Sequence, residues 1–208
     1  MAGDGTAHRT AHRTARTTRR EPYTSETLLA VAVEVFLLRG YDGTSMEDLA
    51  AAADISKSSI YHHVRGKEEL LRLALARALD RLFATLDEPE SCAGRPIHRL
   101  QHVVRRTAEV LMAELPYVTL LLRVHGKTAT EQWALERRRE FDGRVAGLVD
   151  EAAAEGDLRG DVDPHLATRL VFGLVNSIGE WYRPRDDQPS PEVADAVVRI
   201  AFDGLRTR

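Results

Sequence analysis

Apolar residues along this chain recur every three to four positions, the spacing that gives a helix one inward face, and no segment shows a convincing strand pattern. From Thr24 to Arg39 the inward positions are Leu28, Leu29, Ala32, Val35, Phe36 and Leu38, with Thr24 or Ser25 as N-cap and Gly40 as the stop. Thr44 or Ser45 caps a short second helix through Ala53, whose stripe is Met46, Leu49, Ala50 and Ala53. After a turn at Asp54 to Ser56, Lys57 to Val64 reads as a third, very short helix with Ile60 and Tyr61 inward. Helices this short cannot stand alone and must lean on the first. Gly66 then separates them from a long fourth helix, Lys67 to Leu86, striped by Leu71, Ala74, Leu75, Ala78, Leu82 and Leu86.

Beyond it, Asp87 to Arg95 carries Pro, Ser and Gly and reads as a linker. Pro96 suits the first position of a helix running to about Leu115, and Pro116 forces a restart into a short apolar helix, Tyr117 to His125. Thr128 and Glu131 stand at capping-box spacing and open a helix to Gly156. Asp163 with Pro164 opens another, ending at Trp181 or Tyr182 before Pro184, and Ser190 with Pro191 opens the last, to about Leu205. The pattern predicts an all-α fold of about nine helices. The last two carry Leu166, Leu170, Leu174, Val175 and Ile178, then Val193, Val197, Ile200 and Leu205. One subunit has little left to cover such wide faces, so an antiparallel four-helix bundle between two copies, a homodimer, is expected.

Composition agrees with a folded helical protein: 208 residues, 43% apolar and 29% charged. The single cysteine, Cys92, excludes an intramolecular disulfide and a cysteine zinc cage, which fits a reducing compartment. No apolar run is long enough to cross a bilayer, and the first twenty residues lack the apolar middle of a secretory signal; the expected location is the cytoplasm, with no membrane partner. A net charge of -3 gives no hint of a nucleic-acid partner, but its distribution does. Between His8 and Arg20 stand Arg9, Arg13, Arg16, Arg19 and Arg20 without an acid, in a segment that repeats Ala-His-Arg-Thr. Residues 1–21 are therefore expected to form a disordered basic arm, either a solvated tail or an arm that follows phosphates or enters a minor groove.

A helix, a short helix, a tight turn and a second short helix make a helix-turn-helix unit. An exposed helix of this size fits a major groove, and hydroxyl, lysine and aromatic groups on it reach phosphates or base edges. The run FLLRGYDGTSMEDLAAAADISKSSIYHHVRGKEELL resembles the DNA-binding domain of the TetR family of bacterial transcriptional repressors. The match is carried by Phe36, Gly40, Tyr41, Thr44, Ser45, Met46, Leu49, Ala50, Ala53, Ser56, Lys57, Ile60, Tyr61, His62, Val64, Lys67, Glu68 and Leu70. Asp54 departs from it where the turn commonly has glycine, and Val64 where an aromatic is common; Asp tolerates a left-handed backbone better than most residues. The resemblance implies a three-helix DNA-binding domain over residues 22–82, its helix-turn-helix motif over 45–64, and a larger helical effector and dimerisation domain over 83–208. It also implies that Thr44 and Ser45 hold the backbone at one end of the motif, and that Tyr61, His62 and Lys67 contact phosphates. Lys57, Ser58 and Ser59 would face the groove, and His63 could do either.

Other constellations are weaker. His62 and His63 point about 100° apart on a helix and cannot chelate one ion together. His98 and His102 share a face but no third ligand is identifiable, and no catalytic signature appears, so neither a metal site, a cofactor nor an enzyme is expected. The segment NSIGEWYRP, Asn176 to Pro184, resembles that of TetR-type regulators responding to coenzyme A thioesters of aromatic, steroid or fatty acids. Such an effector needs an apolar slot and cations for its phosphates. Leu121, Leu122, Trp133, Phe141 and Phe172 are expected to line the slot, with Arg123, Lys127, Arg137 and Arg138 at the phosphates and Trp181, near Asn176, beside the thioester or adenine. The rival expectations are a regulator of a free hydrophobic drug-like ligand, favouring an acidic pocket, and a helical binding module without DNA binding.

Overall fold

The computed structural model describes residues 24–183 and 190–205; the basic arm and Pro184 lie outside the described residues. Within them are ten helices and no strand: α1 (Ser25–Arg39), α2 (Met46–Ala52), α3 (Lys57–Ile60), α4 (Lys67–Leu86), α5 (Pro89–Cys92), α6 (Pro96–Ala113), α7 (Leu115–Leu122), α8 (Ala129–Ala154), α9 (Pro164–Trp181) and α10 (Pro191–Leu205). None of them is long and apolar enough to cross a membrane.

The capping residues set the starts. Thr24, Ser45 and Thr128 each accept a hydrogen bond at 3.1 Å from the backbone N–H three residues on, and Asp163 accepts one from Leu166 at 2.9 Å. Each such cap stabilises its helix by about 1 kcal/mol. The turn between α2 and α3 is equally specific. Asp54 is the one non-glycine residue with positive φ among the described residues, at 54°. In that conformation its N–H donates to Ala51 at 3.1 Å and the Ile55 N–H to Ala50 at 3.0 Å, closing the last carbonyls of α2.

Three elements differ from the sequence pattern. The tenth helix, α5, is one turn inside the expected linker: Pro89 starts it, and the buried Ser91 hydroxyl donates to the Thr85 carbonyl at 2.5 Å, folding the chain back on α4. The third helix stops at Ile60 rather than Val64. Tyr, His and Val are modest helix formers, and the His62 and His63 N–H groups bond three residues back, a tightened last turn that brings Val64 into the core. Leu38, expected inward, is 83% exposed because it falls off the face that Leu28, Ala32, Val35 and Phe36 define.

α4 belongs to both halves of the molecule. It packs on α1 and also on α6, α7 and α8. Arg77 in its middle reaches Glu114 at 2.7 and 3.3 Å, with the guanidinium 4.2 Å from the Tyr117 ring centre. α9 lies on α8 and α6, and α10 on α6. Both keep apolar side chains on their outer faces: Leu166, Leu170 at 63% exposure, and Ile200 at 67%.

Candidate nucleic-acid interface and effector cavity

α2, α3 and the turn that follows present a polar surface. Lys57, Ser58, His62 and His63 are exposed, Tyr61 is half-exposed, and Ser59 lies between them. Ser56 caps α3 by accepting from the Ser59 N–H at 3.1 Å, and its hydroxyl meets those of Ser58 and Ser59 at 2.9 and 2.8 Å. Lys57 is paired with Glu47 across the motif, which holds the lysine above and the carboxyl below their ordinary ranges through that hydrogen bond. Ser45 is exposed and uses its hydroxyl within the α2 cap, bonded to Asp48 at 2.6 Å. Thr44 is 2% exposed, and its hydroxyl donates inward to Gly40 at 2.7 Å. The Lys67 ammonium donates to the carbonyls of Tyr41 and Thr44, both at 2.9 Å, and lies 4.4 Å from the Tyr41 ring centre. Two of its three protons thus brace the α1–α2 loop; the third remains for an anion outside.

The second feature is a cavity of about 50 Å³ enclosed by α4, α6, α7, α8 and α9. Leu79, Leu82, Leu111, Val118, Leu121, Leu122, Phe141 and Phe172 form its apolar walls, with Thr107, Arg138, Asp142 and Asn176 as polar members. Phe141 packs at 5.6 Å from Phe172 and 5.7 Å from Phe83. Four of these residues, Arg138, Asp142, Phe172 and Asn176, also line a wide cleft between α8 and α9 of about 610 Å³, whose rim adds Arg139, Arg169, His165 and Thr168. The cleft and the cavity thus share part of their walls, and the cleft is lined by three arginines, Arg138, Arg139 and Arg169. Burial lowers the affinity of the Arg138 guanidinium for its proton, and its Nη1 donates to the Leu121 carbonyl at 3.4 Å. Asp142, reached by solvent through the cleft yet surrounded by protein, has its carboxyl raised by desolvation, more than Arg138 and Arg169 lower it.

Of the residues expected to hold an effector, Leu121, Leu122, Arg138, Phe141, Phe172 and Asn176 come together here. Five do not. Arg123 and Lys127 lie between the two halves of the molecule, where Arg123 donates to the Leu37 carbonyl at 3.1 Å and Lys127 pairs with Asp42 at 2.7 Å. Trp133 is covered by the Arg72 guanidinium at 3.4 Å, Arg137 pairs with Glu140 and lies over the Phe83 ring, and Trp181 stands exposed at the end of α9. Contacts across 85 residues of chain, as between Lys127 and Asp42, leave no periodic trace in a sequence. Thr107, Asp142 and Arg169 lie outside the set expected from the sequence. Thr107 had a signal, since it falls on the α6 face of Val104 and Leu111 as the one hydroxyl in an apolar stripe.

Glu88, Glu90 and His102 offer ligand atoms within 4.8 Å of one another. Glu88 already meets Arg106 at 2.9 Å and His102 at 2.7 Å; an ion would have to displace a guanidinium. The cluster carries no metal assignment.

A helix-turn-helix joined through one shared helix to an all-helical domain with an apolar cavity beside an arginine-lined cleft defines a DNA-binding, ligand-sensing class of protein. Residues 28–74 match the family described as bacterial regulatory proteins, tetR family, and residues 93–205 the tetracyclin repressor-like C-terminal domain. The chain belongs to the TetR family of transcriptional regulators, a family of regulators rather than enzymes. It is 65% identical to a crystallised member of that family from Streptomyces coelicolor A3, with a TM-score of 0.82 over 89% of this chain and 94% of that one. It is 29% identical over 181 residues to the HTH-type transcriptional repressor KstR2 of Rhodococcus jostii, covering 86% of this chain and 89% of the relative. It is also 26% identical to AibR, whose structure was solved with isovaleryl coenzyme A and operator DNA, at a TM-score of 0.71 over 86% of this chain and 97% of that one.

Proposed function

We propose that this chain is a homodimeric repressor that binds a pseudo-palindromic operator and is released by a coenzyme A thioester. The observation that carries the reading is the wall shared by an arginine-lined cleft and an apolar cavity beside α4. Arg139 and Arg169 at the rim suit the phosphates of coenzyme A, and the walls inside suit an acyl group. A hydrophobic cation would meet these arginines unfavourably, so the free drug-like ligand is disfavoured. AibR, bound to both isovaleryl coenzyme A and operator DNA, supports the same assignment by likeness.

On the DNA side, Ser45, Lys57, Ser58, Ser59, Tyr61, His62, His63 and Lys67 supply the contacts in this reading. Thr44 acts through its backbone, which Lys67 clamps. Two copies pair through the outer faces of α9 and α10, and the recognition helices then stand about one turn of DNA apart, roughly 34 to 36 Å. α4 couples the sites, because Leu79 and Leu82 wall the cavity while Lys67, roughly 18 Å along the same helix, braces the motif. A thioester that favours a different setting of α4 lowers DNA affinity by linkage.

The test is a thermal melt of the purified protein with phenylacetyl-CoA and longer acyl-CoAs, alongside Arg139→Ala and Arg169→Ala. A rise in Tm with a thioester that both variants weaken supports the reading. No shift with any thioester sinks the effector assignment.

A further inference from the structure

The polar residues of the cavity and the neighbouring cleft divide into three groups. Arg139, His165, Thr168 and Arg169 line only the cleft; Arg138, Asp142 and Asn176 line both cleft and cavity; Thr107 lines only the cavity. The Thr107 hydroxyl, on α6, is therefore the polar group that belongs to the cavity alone.

That hydroxyl is unusual. Thr107 is 4% exposed, and its Oγ1 is buried without a hydrogen-bond partner among the described residues. A helical threonine commonly returns its hydroxyl to the backbone one turn back, as Thr168 does here to Pro164 at 2.8 Å. Thr107 does not, and it lies against the leucines and phenylalanines of the cavity. Buried polar atoms are nearly always paired in folded proteins, so an orphan lining a cavity of about 50 Å³ marks where a ligand atom or a water belongs. A purely hydrocarbon acyl group would leave it unsatisfied and lose affinity for that reason.

We propose that the effector's buried end carries an oxygen, a ketone or hydroxyl, which pairs with the Thr107 hydroxyl. This rests on the assignment of the cavity as the effector site. The effector is then an oxygenated acyl thioester: phosphates at Arg139 and Arg169, the thioester carbonyl at the neck beside Arg138 and Asn176, and the distal oxygen at Thr107. The desolvated Arg138 and Asp142 at the neck extend the polar path inward.

The experiment compares ligands matched in shape. Hexanoyl-CoA and 5-oxohexanoyl-CoA are titrated into wild type, Thr107→Val and Thr107→Ser, with binding read by calorimetry. In parallel, butan-2-one and 2-methylbut-1-ene, alike except for the oxygen, are titrated with methyl resonances of the cavity leucines as readout. Wild type should favour the oxygenated member of each pair by roughly tenfold, about one hydrogen bond. Thr107→Ser should keep that preference and Thr107→Val abolish it, with melting temperature unchanged or higher in the valine variant. Equal binding of the paired ligands by wild type, or a preference that survives Thr107→Val, overturns the proposal. If the ketone is preferred but neither thioester binds, the thioester assignment fails while the oxygen preference of the cavity stands.

Discussion

Asp54 and Asp142 are acids in places that disfavour them, one through its backbone and one through its charge. Asp54 holds φ at 54° because the α2–α3 turn needs a left-handed residue to close α2. Such a conformation costs a residue with a Cβ on the order of 1 kcal/mol relative to glycine, less for Asp than for most. Asp54→Gly should stabilise the protein by about 0.5 kcal/mol, and Asp54→Val should destabilise it by about 1–2 kcal/mol, both read by denaturant melts. Asp142 has a folded carboxyl raised above the ordinary value by desolvation. Between its unfolded and folded ranges the native state binds more protons, so stability falls as pH rises through that window and the penalty persists above it. Asp142→Asn removes the penalty. Its Tm should exceed that of wild type at neutral pH, and the gap should close as pH drops below about 4. A gap that widens toward acid would contradict the desolvation argument.

Elements were legible in the sequence where side chains mark their ends. The capping pair Thr128 and Glu131, the pair Asp163 and Pro164, and Gly40 each sit where the helices start or stop. α5 was not legible, because four residues are too few for a periodic stripe and Pro89, a linker signal, is here its first residue. The end of α3 was missed for a related reason: Val64 is buried by a tightened turn rather than by continued helix. At the site, the apolar wall was partly legible as helix faces, whereas of the four cations expected there only Arg138 lines the cavity. Arg137 and Arg138 look alike in sequence, yet one pairs with Glu140 over Phe83 and the other reaches the Leu121 carbonyl inside the cavity. In the proposed DNA complex, the pair formed by Glu47 of α2 and Lys57 of α3 would open to let the lysine face the groove. Glu47→Gln frees the lysine and removes a negative charge facing the DNA, so operator affinity should rise. Lys67→Ala should weaken binding to all sequences and flatten the plot of log affinity against log salt by about two units per dimer. Anisotropy titrations at several salt concentrations read both.

The whole molecule joins two demands through α4, which packs on α1 at one side and on α6, α7 and α8 at the other. Further struts cross at the α7–α8 end: Lys127 to Asp42 at 2.7 Å, Arg123 to the Leu37 carbonyl at 3.1 Å, and Thr130 to Glu68 at 3.0 Å. A shift of α8 about a filled cavity would therefore be felt at the α1–α2 loop that Lys67 braces. In the proposed dimer, the outer stripe of α9 and α10, with the exposed Leu166, Leu170 and Ile200, would supply the apolar surface for pairing two copies. Leu170→Arg together with Ile200→Glu should give a folded monomer in sedimentation, with operator affinity reduced at least a hundredfold, since one half-site remains. The most direct measurement follows the anisotropy of a labelled duplex taken from the DNA immediately upstream of the coding sequence, first bound by the protein and then titrated with acyl-CoAs. A dimer held more tightly there than on random duplex, and released by a thioester in wild type but not in Arg139→Ala, is the expected result; equal binding to both duplexes, unmoved by any thioester, would contradict the account.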